Sequence, residues 1–192
     1  QHRTFMWTES AQTELHGFKA AGYVLDELAV LIATKESLIE PRYNNEIEIR
    51  VVSSDSDWKQ WEGLRNDERP EGHVELPYSA FIEKDGARYR QLAAQRKGNF
   101  YGAFIGEELV AIAGLFHENN VGRFQQFITK SDFRNQGICK TLVHQISAKA
   151  FQHLAMLVIV AEQDYHALGI YELIGFKNEQ TQYTLCWWPR EE

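Results

Sequence analysis

Arg134, Gly137 and Cys139 stand two to three positions apart in FRNQGICKTL (133–142), between an apolar strand-like run and an amphipathic helix pattern. A helix start leaves backbone N–H groups without partners and carries partial positive charge. A glycine there lets a ligand approach the main chain and opens dihedral angles closed to other residues. Together these features make a seat for a diphosphate. The stretch is not G-x-G-x-x-G, and it lacks the G-K-[ST] of a nucleotide-triphosphate loop. On these residues alone, a tight strand-to-helix turn without a ligand fits equally well. Cys139 sits where a thiol can become reactive. A nucleophile also wants a neighbouring base, and no motif supplies one, so Cys139 reads as a small packing residue. A second group of chemically able residues follows the apolar run AMLVIVA (155–161): Glu162, Asp164, Tyr165, His166 and Tyr171. Their carboxylates, imidazole and phenols are the groups that move protons in catalysis.

The surrounding pattern supplies the elements that must position these residues. Residues 9–21 predict a short helix, capped by Ser10 and stopped by Gly22. YVLDELAVLIA (23–33) reads as a strand, although Asp26 and Glu27 interrupt it. The polar segment 34–46, with Pro41 and an Asn pair, marks a boundary. It divides the chain into an N-terminal helix-strand extension, 1–45, and a main domain, 46–192. IEIRVV (47–52) alternates as a half-buried strand does. Capping residues then open a helix with Trp58, Trp61 and Leu64 on one face, and a second helix falls within 77–97. Strand-like runs at 100–106, 109–117 and 123–130 are joined by Gly106-Glu107-Glu108 and Asn119-Asn120-Val121-Gly122, which predicts antiparallel hairpins. A helix over 140–154 presents Leu142, Val143, Ile146 and Ala150. The run 155–161 suits a strand buried on both faces. A helix over 165–175 closes at Gly175, and YTLCWW (183–188) is a final strand.

One internal echo occurs. Phe18-x-x-x-Gly22-Tyr23 before a strand is similar to Tyr171-x-x-x-Gly175-Phe176 before a strand. Helix-end glycines are common, so chance is one reading. The other makes residues 9–33 a partial copy of the last helix-strand unit.

The formal charge of −7 argues against general nucleic-acid binding, which wants a basic surface. It mildly favours cationic partners, or simply aids solubility. No apolar run approaches the roughly 18–20 residues that span a bilayer, so no membrane role is expected. Cys139 and Cys186 are the only cysteines, with no CxxC and no zinc spacing, so no metal is expected and a reducing cytoplasm is the simplest setting. The chain begins at Gln1 rather than Met, and further residues upstream are expected.

Over 47–188, the order of elements together with FITKSDFRNQGICKTLVHQI and MLVIVAEQDYHALGIYELIGF resembles the GNAT superfamily of acyl-CoA-dependent N-acyltransferases. The second segment is similar to that superfamily's strand followed by N-x-x-A-x-x-x-Y-x-x-x-G-F. The resemblance implies an α/β (α+β) fold. Its mixed, bent central sheet has antiparallel N-terminal strands, splays between strands ~123–130 and ~155–161, and is flanked by helices. It further implies acetyl-CoA as co-substrate. The pantetheine arm would lie beside the backbone of Phe127, Ile128 and Thr129. The backbone of Asn135, Gln136, Gly137, Ile138, Cys139 and Lys140 would hold the pyrophosphate, with Arg134 also counted among the cofactor-binding residues. Three departures stand out. Cys139 replaces the usual Gly or Ala, Asp164 replaces the Asn of N-x-x-A, and Arg123 occupies the position of a glutamate base found in some members. Asp164 still accepts a hydrogen bond but cannot donate one when ionised.

Acyl transfer to an amine requires loss of the amine proton, stabilisation of the thioester oxygen and protonation of the leaving thiolate. By the resemblance, a backbone N–H near Ile128 serves the oxygen and Tyr171 is the general acid. Glu162 is the candidate base, with a water relay as the alternative. Tyr165 and His166 are candidates for the acceptor pocket, while His117, Glu118, His144 and His153 read as structural or solvent-facing. The expected acceptor is a small-molecule or peptide amine. A non-catalytic acyl-CoA-binding or sensing module of the same fold is the competing function. Under either function, residues 1–45 would be a lid, a homodimer contact or the remnant of a preceding domain.

Overall fold

Turn residues cut the apolar runs into strands, and capping residues start the periodic runs as helices. The computed structural model describes residues 3–8, 15–69, 75–163 and 168–187. In chain order these are β1 (Arg3–Trp7), α1 (His16–Ala20), β2 (Val24–Ala33), β3 (Glu48–Val51), α2 (Asp55–Asp67), α3 (Glu75–Ala94), β4 (Gly98–Ile105), β5 (Glu108–Glu118), β6 (Val121–Thr129), α4 (Ile138–Ala150), β7 (Met156–Glu162), α5 (Leu168–Leu173) and β8 (Lys177–Trp187). All eight strands join one sheet in the order β1-β8-β2-β7-β6-β5-β4-β3. Every neighbouring pair is antiparallel except β6 and β7, which run parallel.

That parallel pair decides the shape of the site. β6 and β7 pair only at Val121–Met156, Gly122–Leu157 and Arg123–Val158. Beyond Arg123 the strands part, so the β7-side edge of β6 from Phe124 to Thr129 has no strand beside it. On its other side β6 stays with β5 through a bulge: the register shifts between Ile112 and Gly114, leaving Gln126 and Phe127 opposite Ala113. Gln126 takes a φ of 53°, the left-handed region in which the extra residue of a bulge can sit.

Two cores lie under this sheet. One is mainly aliphatic: Val143, Ile146 and Leu142 of α4 pack with Leu31, Leu157 and Ile159 of the central strands. The other is aromatic: Trp58 and Trp61 of α2 and Tyr89 of α3 meet Phe100 of β4 edge to face, with ring centroids 4.8–6.1 Å apart. The start of α2 is fixed by a capping box between Ser54 and Asp57. Asp57 also accepts two hydrogen bonds from Arg50, at 2.8 and 2.9 Å. These bonds and the N–H groups of Ser53 and Ser54 hold its carboxyl well below the usual carboxylate range, against the opposing pull of burial.

The strand expected over 23–33 is present, and β2 lies inside the sheet between β7 and β8. β1 has no counterpart in the pattern reading. Of the helix expected over 9–21, residues 16–20 are helical and 9–14 lie outside the described residues. β8 begins at Lys177 rather than 183, because β2 supplies a ladder for a stretch too polar to read as a strand. The polar segment 34–46 is tied to α4 and its loop. Tyr43 Oη lies 2.9 Å from His144 Nδ1, the Asn44 N–H donates to Thr141 Oγ1, and Asn44 Nδ2 donates to the Gln136 carbonyl.

Candidate active site

The opening between β6 and β7 leads into a cleft of about 830 Å³. Its walls come from Gln126, Phe127, Ile128 and Thr129 of β6, the loop and first turn at Phe133–Asn135 and Gly137–Lys140, Ile170, Tyr171 and Leu173 of α5, and Glu68 and Tyr78 from the α2–α3 side. Ten of the residues singled out by the sequence therefore converge on one cavity: Phe127, Ile128, Thr129, Arg134, Asn135, Gly137, Ile138, Cys139, Lys140 and Tyr171. Gln136 faces the other side of the loop, in a neighbouring cavity of about 550 Å³ that it shares with Arg42, Asn44 and Lys140.

The loop has the geometry an anion seat needs. Asn135 and Gly137 take φ values of 61° and 75°, and Gly137 is the N-cap of α4. Two left-handed residues so close together turn the chain sharply and let consecutive N–H groups face one way. A side chain at Gly137 would be strained at that φ, and its Cβ would crowd Lys140 Cε at 3.1 Å. No acidic residue stands in the first turn of α4, so the positive end of the helix is not neutralised. Thr141 Oγ1 donates to the Gly137 carbonyl at 2.9 Å and accepts from Asn44, which links the loop to the 42–46 segment.

Arg134 is engaged elsewhere. Its Nε donates to the Thr129 carbonyl at 3.1 Å, and its guanidinium forms an ion pair with Glu68. Glu68 also accepts the Ser131 N–H at 2.7 Å. Glu68, Tyr78, Gln126, Ile170 and Leu173 are lining residues that sequence reasoning missed. Glu68 lies in a mixed-charge run that reads as a solvated surface, and nothing in its spacing points back to a loop more than sixty residues away.

Tyr171 is buried, 1% exposed, with its ring centroid 5.1 Å from that of Phe127. Phe127 in turn stacks on Phe124. The phenol is thus held at the junction of β6 and α5. Cys139 is half-buried, and its apolar surroundings push the thiol up to about 12, the reverse of an activated nucleophile. Burial lowers His144, which fits a neutral imidazole partnered by Tyr43. Glu162 is exposed at the end of β7, opposite Leu28 of β2, and does not line the cleft. The base candidate from the sequence is therefore not brought to the other residues. Asp164, Tyr165 and His166 lie outside the described residues. Among the described residues, no group of His, Cys, Asp and Glu is arranged to hold a metal ion, and no helix is long and apolar enough to cross a membrane.

A parallel pair that parts beside a glycine-capped helix start is a specific arrangement, and the comparison with known families agrees with it. Residues 58–176 match the model of the acetyltransferase (GNAT) family. The chain belongs to that family. Three solved structures illustrate the fold. A GCN5-related N-acetyltransferase from Kribbella flavida is 15% identical with a TM-score of 0.68, over 95% of this GNAT chain and 67% of its own. A tandem GNAT protein from the clavulanic acid biosynthesis pathway is 10% identical with a TM-score of 0.69, over 99% of this chain and 65% of its own. The PaiA N-acetyltransferase from Thermoplasma acidophilum, solved with coenzyme A, is 17% identical with a TM-score of 0.57, over 71% of this chain and 97% of its own. At these identities the likeness is one of fold. No curated protein matches the sequence.

Proposed function

We propose that this GNAT protein moves an acetyl group from acetyl-CoA to a primary amine by direct transfer. The observation that carries the reading is the shared cleft. One continuous cavity joins the unpaired edge of β6, the N-terminal loop of α4 and Tyr171. An elongated donor with a diphosphate at one end and a reactive thioester at the other matches those three features in chemistry.

In this reading the N–H groups between Asn135 and Lys140 hold the pyrophosphate, and the free edge at Phe127–Thr129 accepts the amide-bearing arm as an added strand would be accepted. The bulge at Gln126–Phe127 breaks the β5 ladder just before Ile128, so backbone N–H groups there are available to the carbonyl oxygen as it gains charge. The amine nitrogen forms a bond to the acetyl carbon, the carbon–sulfur bond breaks, and Tyr171 gives its proton to the sulfur. A phenol O–H is a donor that can pass its proton to a thiolate as the carbon–sulfur bond breaks. Glu162 does not line the cleft, so in this reading the amine proton leaves through water.

The test is release of coenzyme A thiol from acetyl-CoA against a panel of small and peptidyl amines, run beside a thermal-shift titration. Amine-dependent release with product acetylated on nitrogen is the expected result. A coenzyme-induced rise in Tm with no acetylation of any amine would replace this reading with the non-catalytic acyl-CoA-binding module.

A further inference from the structure

The two ends of the chain are related by a two-fold repeat. The segments β1-α1-β2 and β7-α5-β8 have the same order, and each helix ends in the same way. The Gly22 N–H donates to the Lys19 carbonyl and the Tyr23 N–H to the Phe18 carbonyl. The Gly175 N–H donates to the Glu172 carbonyl and the Phe176 N–H to the Tyr171 carbonyl. Both glycines have positive φ, 84° and 100°. This is one helix-ending motif used twice.

The registers follow the relation residue by residue except across the β2–β8 bulge at Val30/Leu31. Superposing Gly22 on Gly175 carries the β1–β8 pairs Thr4–Cys186, Phe5–Leu185, Met6–Thr184 and Trp7–Tyr183 onto Leu157–Ala33, Val158–Ile32, Ile159–Leu31 and Val160–Val30. Those four are the pairs found between β7 and β2. The same shift carries Leu28–Gln182 onto Thr181–Ala29, also an observed pair, so the axis passes through the middle of the β2–β8 ladder. In the order β1-β8-β2-β7, each unit's last strand lies between the two strands of the other unit.

The second unit is finished and the first is not. Ile159 is 0% and Tyr171 is 1% exposed, whereas their counterparts Met6 and Phe18 are 64% and 38% exposed. Leu157 and Ile174 are buried, but Thr4 and Ala21 are exposed. What buries the second unit is β6 alongside β7 together with α4. Nothing occupies the matching position beside β1 among the described residues.

We propose that residues 3–33 are the closing β-α-β unit of a second acetyltransferase-like fold, and that the exposed face of β1 and α1 is the docking surface for the rest of that fold. The occupant is a domain carried on the same polypeptide ahead of Arg3. It would present a strand equivalent to β6, parallel to β1, and a helix equivalent to α4 over Met6 and Phe18. Chain order supports this choice, since in the finished unit those elements precede β7. A second copy of this chain fits poorly, because its β6 is already paired with its own β7.

The test compares the natural full-length polypeptide, its mass first established from the source, with the 192-residue chain. Amide hydrogen exchange at Arg3–Trp7 should be slower by about 100-fold or more in the full-length protein. Met6→Asp should leave the Tm of the 192-residue chain within about a degree and lower that of the full-length protein by about 5 °C or more. The proposal is overturned if the natural polypeptide carries no such upstream domain, if β1 exchanges equally fast in both, or if Met6→Asp acts equally on both. Sedimentation showing that the 192-residue chain dimerises and thereby protects β1 would also overturn it, in favour of a second copy. Acetylation is not the readout, so these outcomes are independent of the proposed reaction.

Discussion

The two faces of the sheet are built from different materials. The α4 face is aliphatic, and its contribution to the cleft is largely backbone: a free strand edge, a bulge and a run of N–H groups at a helix start. The α2–α3 face is aromatic and carries the buried charges. Arg65 and Asp85 pair at 2.7 Å with both side chains almost wholly buried, and Asp85 also binds Arg88. In the proposed reaction the first face would hold the donor's amide-bearing arm through its own backbone, where strand geometry suffices. Among the described residues, the second lines the cleft with Glu68 and Tyr78, and side chains of this kind would distinguish one acceptor from another in the proposed reaction. Backbone geometry and side-chain chemistry thus come to the cleft from separate sides of one sheet.

If that division is right, damage to the first face should abolish donor binding without unfolding the protein. Gly137→Glu adds a charge and a strained φ at the anion seat. Calorimetry should show no acetyl-CoA binding by this variant, with the Tm of the ligand-free protein changed by only a few degrees. Tyr171→Phe comes next. It keeps the ring against Phe127 and removes the hydroxyl, so kcat should fall by roughly 10²–10⁴ with little change in KM. Near-normal kcat would reduce Tyr171 to a packing residue.

The second face should show the opposite behaviour. Asp85→Ala leaves Arg65 buried without its partner and should cost about 3–5 kcal/mol in denaturant unfolding. The variant that remains folded should bind acetyl-CoA within a few-fold of the parent. A large loss of affinity in the folded fraction would mean that the faces are coupled. The smallest effect is expected at Cys139→Ala. Its thiol is held protonated, so donor binding and turnover should both stay within about two-fold. Lost turnover with intact binding would point instead to covalent catalysis.

The same division explains what was legible in the sequence. The hairpin joints at 106–108 and 119–122, the glycine before α4 and the tyrosine of α5 are local signals, and each stands where its spacing implies. The splay of β6 from β7 was legible only through the family resemblance. What failed to show was long-range. β1 is a strand because the second half of β8 pairs with it, and the first half of β8 is a strand because β2 does. The 34–46 segment reads as a boundary, yet it braces the loop through Asn44 and α4 through Tyr43. Glu68 was invisible because its role depends on a tertiary meeting with Ser131 and Arg134, not on its neighbours in sequence. Glu162 follows the splayed strand in sequence, but the turn of β7 beside β2 leaves it outside the cleft.

The place of β2 has a consequence for synthesis. It is synthesised well before its partners: β2 ends at Ala33, whereas β7 and β8 begin at Met156 and Lys177. At about 5–20 residues per second it waits on the order of ten seconds with both hydrogen-bonding edges open. An apolar strand in that state is a template for intermolecular pairing. Asp26 and Glu27, which interrupt its apolar run, are exposed in the folded sheet and contribute little to its core. They are charges of the gatekeeper kind. Replacing both with Val should raise the insoluble fraction formed during translation several-fold while leaving the Tm of the folded protein nearly unchanged. The residues that make the strand hardest to recognise would then be the ones that keep the nascent chain soluble until its sheet can close.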